Sequence, residues 1–282
     1  MLEYRLRHPA REWSEWIVLS RNPERFIRDC PFLANQSGVS FAAGDIRNFK
    51  VPAGKLNAII HAAAVLNPSA AEAEILSATI EGTGHVIDVA LATGCEKVLY
   101  TSSGAVYGAL SAPVGEDVPS HPTTPYGRAK VEAENILVSS GIDAKIARCF
   151  AFVGKYLDRT IYYAIGNFIR DALAGRDIVI NGDGSPMRSY LYVDDLVEWL
   201  FAILERGESG RSYNVGSDKA ISIRDLAVLV RETLQSKSEI KVLGQAVAGA
   251  AKCYVPNVSR ARDELGLVQK VSLPEAILAS SR

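Results

Sequence analysis

The chain has few of the residues that build disulfide frameworks or metal centres. Its four cysteines, Cys30, Cys95, Cys149 and Cys253, are scattered through 282 residues with no ligand-like spacing, so they read as buried or incidental thiols. The histidines His8, His61, His85 and His121 form no H-E-x-x-H or comparable cluster, which sets metal catalysis aside. An excess of one charge is lacking too. The 31 Lys and Arg balance 32 Asp and Glu, and the basic residues do not gather in runs, so nothing marks a nucleic-acid partner. No stretch of about 18 uncharged apolar residues occurs. The opening "MLEYRLRHPAREWSEW" is charged throughout and has no apolar core of signal-peptide length. The expectation is a cytoplasmic protein with no membrane partner and a small-molecule site.

An apolar content of 48% is enough to bury a substantial core. Short apolar runs, "WIVLS" (16 to 20), "VSFAAGD" (39 to 45), "NAIIHAAA" (57 to 64), "KVLYTSS" (97 to 103) and "AKIARCF" (144 to 150), alternate with longer amphipathic stretches. "SATIEGTGHVIDVALATGCE" puts Ile80, Val86, Ile87, Val89, Ala90 and Leu91 mostly on one broad helical face. That alternation predicts an α/β fold with a doubly wound parallel sheet, covered on both faces. Beyond residue 150 the rhythm loosens. A helix through "AIGNFIRDALAG" stops at Gly175, the strand "DIVIN" and turn "GDGSP" follow, and helices are expected near 193 to 206 and 222 to 235. The division is residues 1–150 as the main domain and 151–282 mainly as a smaller α/β lobe, with segments around 190–217 returning to the main domain.

Ligands of a parallel sheet sit at the carboxyl ends of its strands. "KVLYTSS" ends there in Thr101, Ser102 and Ser103. Thr124 and Pro125 read as the cap and first-turn proline of a helix that carries Tyr126 and Lys130 on one face. A neighbouring ammonium favours the phenolate and is expected to lower the tyrosine pKa toward neutrality, and a strand-end serine can hydrogen-bond the same substrate oxygen. Such a trio suits proton transfer at a carbinol/carbonyl pair. Taken alone, Y-x-x-x-K is also the spacing of an ordinary exposed helical pair.

"TSSGAVYG" followed by "PYGRAK", with "HAAA" upstream and "GDGSPMRSYLYVDDL" downstream, resembles the extended short-chain dehydrogenase/reductase family of NAD(P)-dependent nucleotide-sugar epimerases, dehydratases and reductases. The likeness runs from about residue 16 to 278. It implies a Rossmann-like fold with a substrate-binding lobe, an NADP or NAD cofactor, a nucleoside-diphosphate sugar as substrate, and a homodimer built on a helix bundle. By the family's pattern Ser103 is the catalytic hydroxyl, Tyr126 the acid/base, and Lys130 both tunes Tyr126 and holds the nicotinamide ribose. Asp45 and Ile46 match the adenine-contacting stretch, and Ala62, Ala63 and Ala64 match the turn along the cofactor. Arg188 matches the grip on the nucleotide diphosphate, for which a guanidinium fork is suited. Asn167 is a substrate candidate, with a solvated helix position as the alternative.

Dehydratases of this family carry an Asp and a Glu after the catalytic hydroxyl, and decarboxylases a Glu beside the valine. Here Gly104 and Ala105 stand there, which leaves epimerisation or 4-keto reduction. "WIVLS" ends in Ser20 and Arg21, where an NAD enzyme presents an acid, and an Arg suits the 2'-phosphate of NADP. The sequence departs from the family in Ala151 and Val153, and in Thr79 where many members carry Asn. It also opens without the first strand and glycine-rich turn that hold the pyrophosphate. "WIVLS" corresponds to the family's second strand, so the sheet is expected to be interrupted between it and "NAIIHAAA". A start assigned downstream of the natural one, or a truncated chain that is a poor enzyme or a non-catalytic binding protein, are the two readings of that opening.

Overall fold

The computed structural model describes residues 1–7, 15–65, 69–157, 159, 163–245 and 253–281. Helix α1 (Leu2–Arg7) opens the chain; residues 8–14 of that opening stretch, with His8, lie outside the described residues. Strand β1 (Trp16–Ser20), the short helices α2 (Pro23–Asp29) and α3 (Pro31–Ala34), and strands β2 (Val39–Ala43) and β3 (Ala58–His61) follow. Then come α4 (Glu72–Ala92), β4 (Lys97–Ser103), a 3-10 turn over Gly104–Tyr107, α5 (Pro125–Ser139) and β5 (Ala144–Cys149). The five expected strands form at the expected places.

The remaining elements are β6 (Phe152–Val153), α6 (Ala164–Leu173), β7 (Ile178–Ile180), β8 (Met187–Arg188), β9 (Leu191–Tyr192), α7 (Val193–Arg206) and β10 (Ser212–Val215). They are followed by β11 (Ile221–Ser222), α8 (Ile223–Thr233), β12 (Ile240–Val242), β13 (Cys253–Tyr254), α9 (Ser259–Leu265) and α10 (Leu273–Ser281). Gly175, at φ 64°, stands two residues past Leu173, just after the Ala174 cap of α6, the left-handed stop that glycine takes without a Cβ penalty.

Hydrogen bonding divides the parallel strands of the main domain into two groups. One is a four-stranded sheet in the order β10-β5-β4-β3, the other the pair β1-β2. β1 and β3 do not pair with each other. Across that boundary Trp16 of β1 and Ile60 of β3 share an apolar cluster with Tyr4, Val197 and Phe201, Phe201 meeting Trp16 edge-on at 5.9 Å and Tyr4 face-on at 6.0 Å. Side chains from α1 and α7 therefore cover the region where the two groups of strands approach.

Strand β4 is central and explains its own apolar run. Successive side chains point to opposite faces, and both faces are covered. Leu99 joins Trp199, Leu200 and Ile203 of α7, whereas Val98 and Tyr100 join Val86, Ile87 and Ala90 of α4 and Ala133 and Leu137 of α5. Burying side chains of this size stabilises by about 1.5–3 kcal/mol each. Helix α4 is long and apolar enough to cross a membrane by length and composition, but here its apolar side packs on β4 and α5. A third cluster, with Ile165, Phe168, Leu226, Val230 and Ile277, holds α6, α8 and α10 together.

Gly108 ends the 3-10 turn at φ 74°, and a Cβ there would lie 2.0 Å from the His121 carbonyl oxygen. Only glycine fits, on both conformational and steric grounds. Gly108→Ala is expected to lower stability by about 2 kcal/mol or more, seen as a lower urea midpoint at unchanged m-value; a midpoint equal to wild type would refute the tight turn.

Candidate active site

Because the strands are parallel, β3, β4 and β5 present their carboxyl ends along one edge, and Ser103 pairs in register with Cys149. The three hydroxyls ending β4 have separate tasks. Thr101 Oγ1 donates to the His61 carbonyl at 3.3 Å. Ser102 Oγ turns to the other face and donates to Glu134. Ser103 Oγ accepts from Ala105 N–H at 3.2 Å.

Local chemistry sets α5 against this edge. Thr124 caps it, its side chain accepting from Gly127 N–H at 3.1 Å, and Pro125 opens the first turn. At Gly127 a Cβ would lie 2.6 Å from the Ala105 carbonyl oxygen, so the lack of a side chain lets the helix start close beside Ser103. One turn on, the Lys130 side chain is buried and donates to the Thr101 carbonyl at 2.8 Å. Its ammonium lies 4.5 Å from the centre of the Tyr100 ring and 5.6 Å from that of Tyr126. Burial pulls the Lys130 pKa down to about 8.

The expected lowering of the Tyr126 pKa is reversed in the fold. Burial, the largest influence, raises it above the ordinary phenol range, and the Ser103 hydroxyl is what works against the rise. Removing water from around a phenolate costs more than one ammonium set against the ring returns. Cys149, read from sequence as a buried or incidental thiol, lies within electrostatic reach of Lys130 and Tyr126, and burial holds its thiol up at about 12.

A buried ion pair fixes the helix behind Lys130. Arg148 of β5 holds Glu134 through Nη2–Oε2 at 2.7 Å and Nε–Oε1 at 3.1 Å. Its Nη1 donates to Tyr107 Oη at 3.0 Å, which donates to Asn214 Oδ1 at 2.8 Å. Asn214 Nδ2 in turn donates to the Val114 carbonyl at 2.9 Å. One connected network thus ties α5, β5, the turn after β4, and β10.

The partners of His61 select its tautomer. Thr83 Oγ1 spends its proton on the Thr79 carbonyl at 2.6 Å, so His61 Nε2, 3.1 Å away, must donate to Thr83. Nδ1 is then a bare acceptor, buried without a partner among the described residues. Burial, helped by Lys130, drops the His61 pKa to about 3.

The model of the NAD dependent epimerase/dehydratase family matches residues 5–216. The chain belongs to this family. It is 28% identical over 253 residues to a dTDP-glucose 4,6-dehydratase of Streptomyces griseus, covering 85% of this chain and 76% of the relative. It is 30% identical over 205 residues to a UDP-glucose 4-epimerase of Mycolicibacterium smegmatis, covering 70% and 65%. The chain spans 61% of a UDP-glucuronic acid decarboxylase of Arabidopsis thaliana, at 28% identity. In fold it matches the UDP-glucuronic acid 4-epimerase of Bacillus cereus, a structure with NAD, at TM-score 0.86 and 21% identity, over 99% of this chain and 92% of the other. A structure of RMD from Pseudomonas aeruginosa with NADPH matches at TM-score 0.76 and 22% identity, over 94% and 97%.

The residues that the family pattern assigns to a dinucleotide line the same edge. Ala62, Ala63 and Ala64 follow β3 and are exposed. Ser20 ends β1, where its Oγ accepts from Asn22 N–H at 3.2 Å, and Arg21 is exposed beside it. Asp45 is held by Arg47, Nε–Oδ1 2.7 Å and Nη2–Oδ2 2.8 Å, which keeps its carboxyl down at about 2. Arg47 also reaches Glu74 at 3.0 Å. Sequence reasoning missed Arg47, whose partners Asp45 and Glu74 come together only in the fold. Ile46 packs under Gly82, where a Cβ would meet it at 2.8 Å.

On the substrate side Arg188 is half-buried, its Nη1 donating to the Met187 carbonyl at 2.8 Å. Asn167 is not the solvated position offered as the alternative: its Oδ1 is buried with no partner among the described residues, as a ligand-facing acceptor would be. Tyr254, which no sequence feature singled out, brings its phenol oxygen over Gly104, the residue after Ser103, 2.8 Å from where a Cβ would stand.

Two measurements test this geometry. His61 has its folded pKa below its unfolded one, so from about pH 6.5 down to about 3 the unfolded chain binds the extra proton and stability falls with acid. The slope contributed is about 1.4 kcal/mol per pH unit, and urea melts of His61→Gln should lack it; equal slopes in both proteins would contradict the buried neutral imidazole. Arg148→Met strands Glu134 and is expected to cost about 3–5 kcal/mol, against a loss within about 1 kcal/mol if the pair is dispensable.

Proposed function

We propose that this chain is an NAD(P)-dependent nucleotide-sugar epimerase or 4-ketoreductase, with Ser103, Tyr126 and Lys130 as its acid/base site. The observation that carries the reading is the buried Lys130 ammonium, held on the Thr101 carbonyl at the carboxyl end of β4, the strand that ends in Ser103, and 5.6 Å from the centre of the Tyr126 ring. Ser103 hydrogen-bonds the reacting sugar oxygen. Tyr126 exchanges a proton with that oxygen as the carbinol and carbonyl interconvert, and Lys130 favours its phenolate.

The residues present fit a dinucleotide. Lys130 has ammonium protons left beyond the one given to Thr101, the exposed alanines at 62–64 allow close approach, and Arg21 offers an uncommitted guanidinium near Asp45. Lys130 would hold the nicotinamide ribose, Ala62 to Ala64 the middle of the cofactor, Asp45 and Ile46 the adenine, and Ser20 and Arg21 a ribose 2'-phosphate, which favours NADP. A bound nicotinamide supplies the hydride acceptor or donor. Arg188 takes the diphosphate of the substrate, and the orphaned Asn167 oxygen accepts a sugar or base proton.

Epimerase or reductase is favoured over dehydratase and decarboxylase because Gly104 and Ala105 have no proton to transfer. A second reading, a non-catalytic binding protein of the same fold, draws on the break in pairing between β1 and β3. Calorimetry with NAD+ and NADP+, followed by turnover assays with UDP- and dTDP-linked sugars and keto-sugars, separates the two. The enzyme reading expects micromolar cofactor binding and turnover, with Tyr126→Phe lowering kcat by about 10²–10⁴ while cofactor affinity holds. Neither binding nor turnover with any of these ligands would favour the second reading.

A further inference from the structure

Tyr254 reaches the active site from far along the chain and is fixed there by its surroundings. Strand β13 runs parallel to β8 with Tyr254 opposite Arg188. Cys253 N–H donates to the Leu110 carbonyl at 3.1 Å, and Val114 N–H to the Val255 carbonyl at 3.2 Å, so the backbone on either side is tied to the loop after the 3-10 turn. The Tyr254 ring packs on Phe150 at 4.8 Å, and Phe150 stacks on Tyr107 at 6.2 Å.

Its phenol oxygen stands over Gly104. A Cβ at Gly104 would lie 2.8 Å from Tyr254 Oη and 2.8 Å from the Phe150 ring. The space that any side chain at position 104 would use is therefore taken by the phenol of residue 254. Ser103 is the residue before Gly104, so the Tyr254 phenol stands at the Ser103 end of β4, and the Ser103 hydroxyl works against the burial-driven rise in pKa of both Tyr126 and Tyr254.

Counting protons gives these contacts a direction. A serine hydroxyl has one proton and two lone pairs, and Ala105 N–H fills one pair. Burial keeps the Tyr254 phenol protonated, at about 12. The nearby Arg188 guanidinium can only donate, and Phe150 offers no polar atom, so Ser103 Oγ is the acceptor suited to the Tyr254 proton. A second donor on the remaining pair would leave Ser103 its own proton for Tyr126 and a substrate oxygen.

We infer that Tyr254 is a positioning residue: it donates its phenolic proton to Ser103 and so fixes the Ser103 hydroxyl as a donor toward Tyr126 and the substrate oxygen. The inference rests on the acid/base reading of Ser103 and Tyr126. A donor already accepting hydrogen bonds is polarised and donates more strongly. Gly104 is part of the device, because a side chain there would displace the Tyr254 phenol.

The test has two arms on the full chain. In urea melts of wild type, Tyr254→Phe, Ser103→Ala and the double variant, the hydrogen bond appears as a coupling of about fivefold in the unfolding equilibrium constant. Coupling below about twofold overturns the inference, whether or not the protein turns over any sugar. In the second arm, with a nucleotide sugar that is turned over, Tyr254→Phe should lower kcat with KM within about twofold, and shift the acid limb of the kcat profile in the oxidative direction to higher pH. Gly104→Ala should do the same and add little to Tyr254→Phe. A loss confined to KM, an unmoved acid limb, or additive losses overturn it. Absence of turnover in wild type itself would sink the proposed enzyme reading while leaving the coupling measurement to decide the hydrogen bond.

Discussion

The site depends on one buried ammonium. Lys130 gives a proton to the Thr101 carbonyl at the end of β4 and lies between the faces of Tyr100 and Tyr126. A charge taken from water is costly unless acceptors surround it, and the fold meets that cost with a strand-end carbonyl, two ring faces and the negative field of Glu134. To keep the ammonium there, α5 must lie close to β4, which requires the bare backbone of Gly127 and the Thr124 cap. It must also stay in register, which the Glu134–Arg148 pair secures one turn further on.

Much of this was legible in the sequence. Strand β4 could be placed because its apolar residues run without alternation, the mark of a strand buried on both faces, and α5 because its cap and proline sit directly before Tyr126. Ser103, Tyr126 and Lys130 then converge because helix spacing and strand-end position are both local properties. What was not legible arises from contacts across long sequence separations. Tyr254 follows Ser103 by half the chain, and no periodicity links them. Arg47 carries no signal in the sequence, because Asp45 and Glu74 close around it only in the fold. The acidity of Tyr126 was misjudged for a related reason: the sequence displays the neighbouring lysine but not the burial that outweighs it.

Gly104 and Ala105 connect structure to chemistry. In sequence they mark the absence of an acid and a base. In the fold, position 104 is filled from outside by the Tyr254 phenol and the Phe150 ring. The absence thus has a steric counterpart: a side chain at position 104 would require the Tyr254 phenol and the Phe150 ring to shift. Family membership covers epimerases, dehydratases and decarboxylases alike.

The most direct test of the central claim is the titration of the Lys130 side chain itself, followed by the 13Cε resonance of labelled lysine and assigned by its disappearance in Lys130→Met. A buried ammonium on the Thr101 carbonyl predicts a midpoint near 8. A midpoint at the ordinary lysine value of 10.5 would mean that the amine is solvated and that the site is not assembled as described.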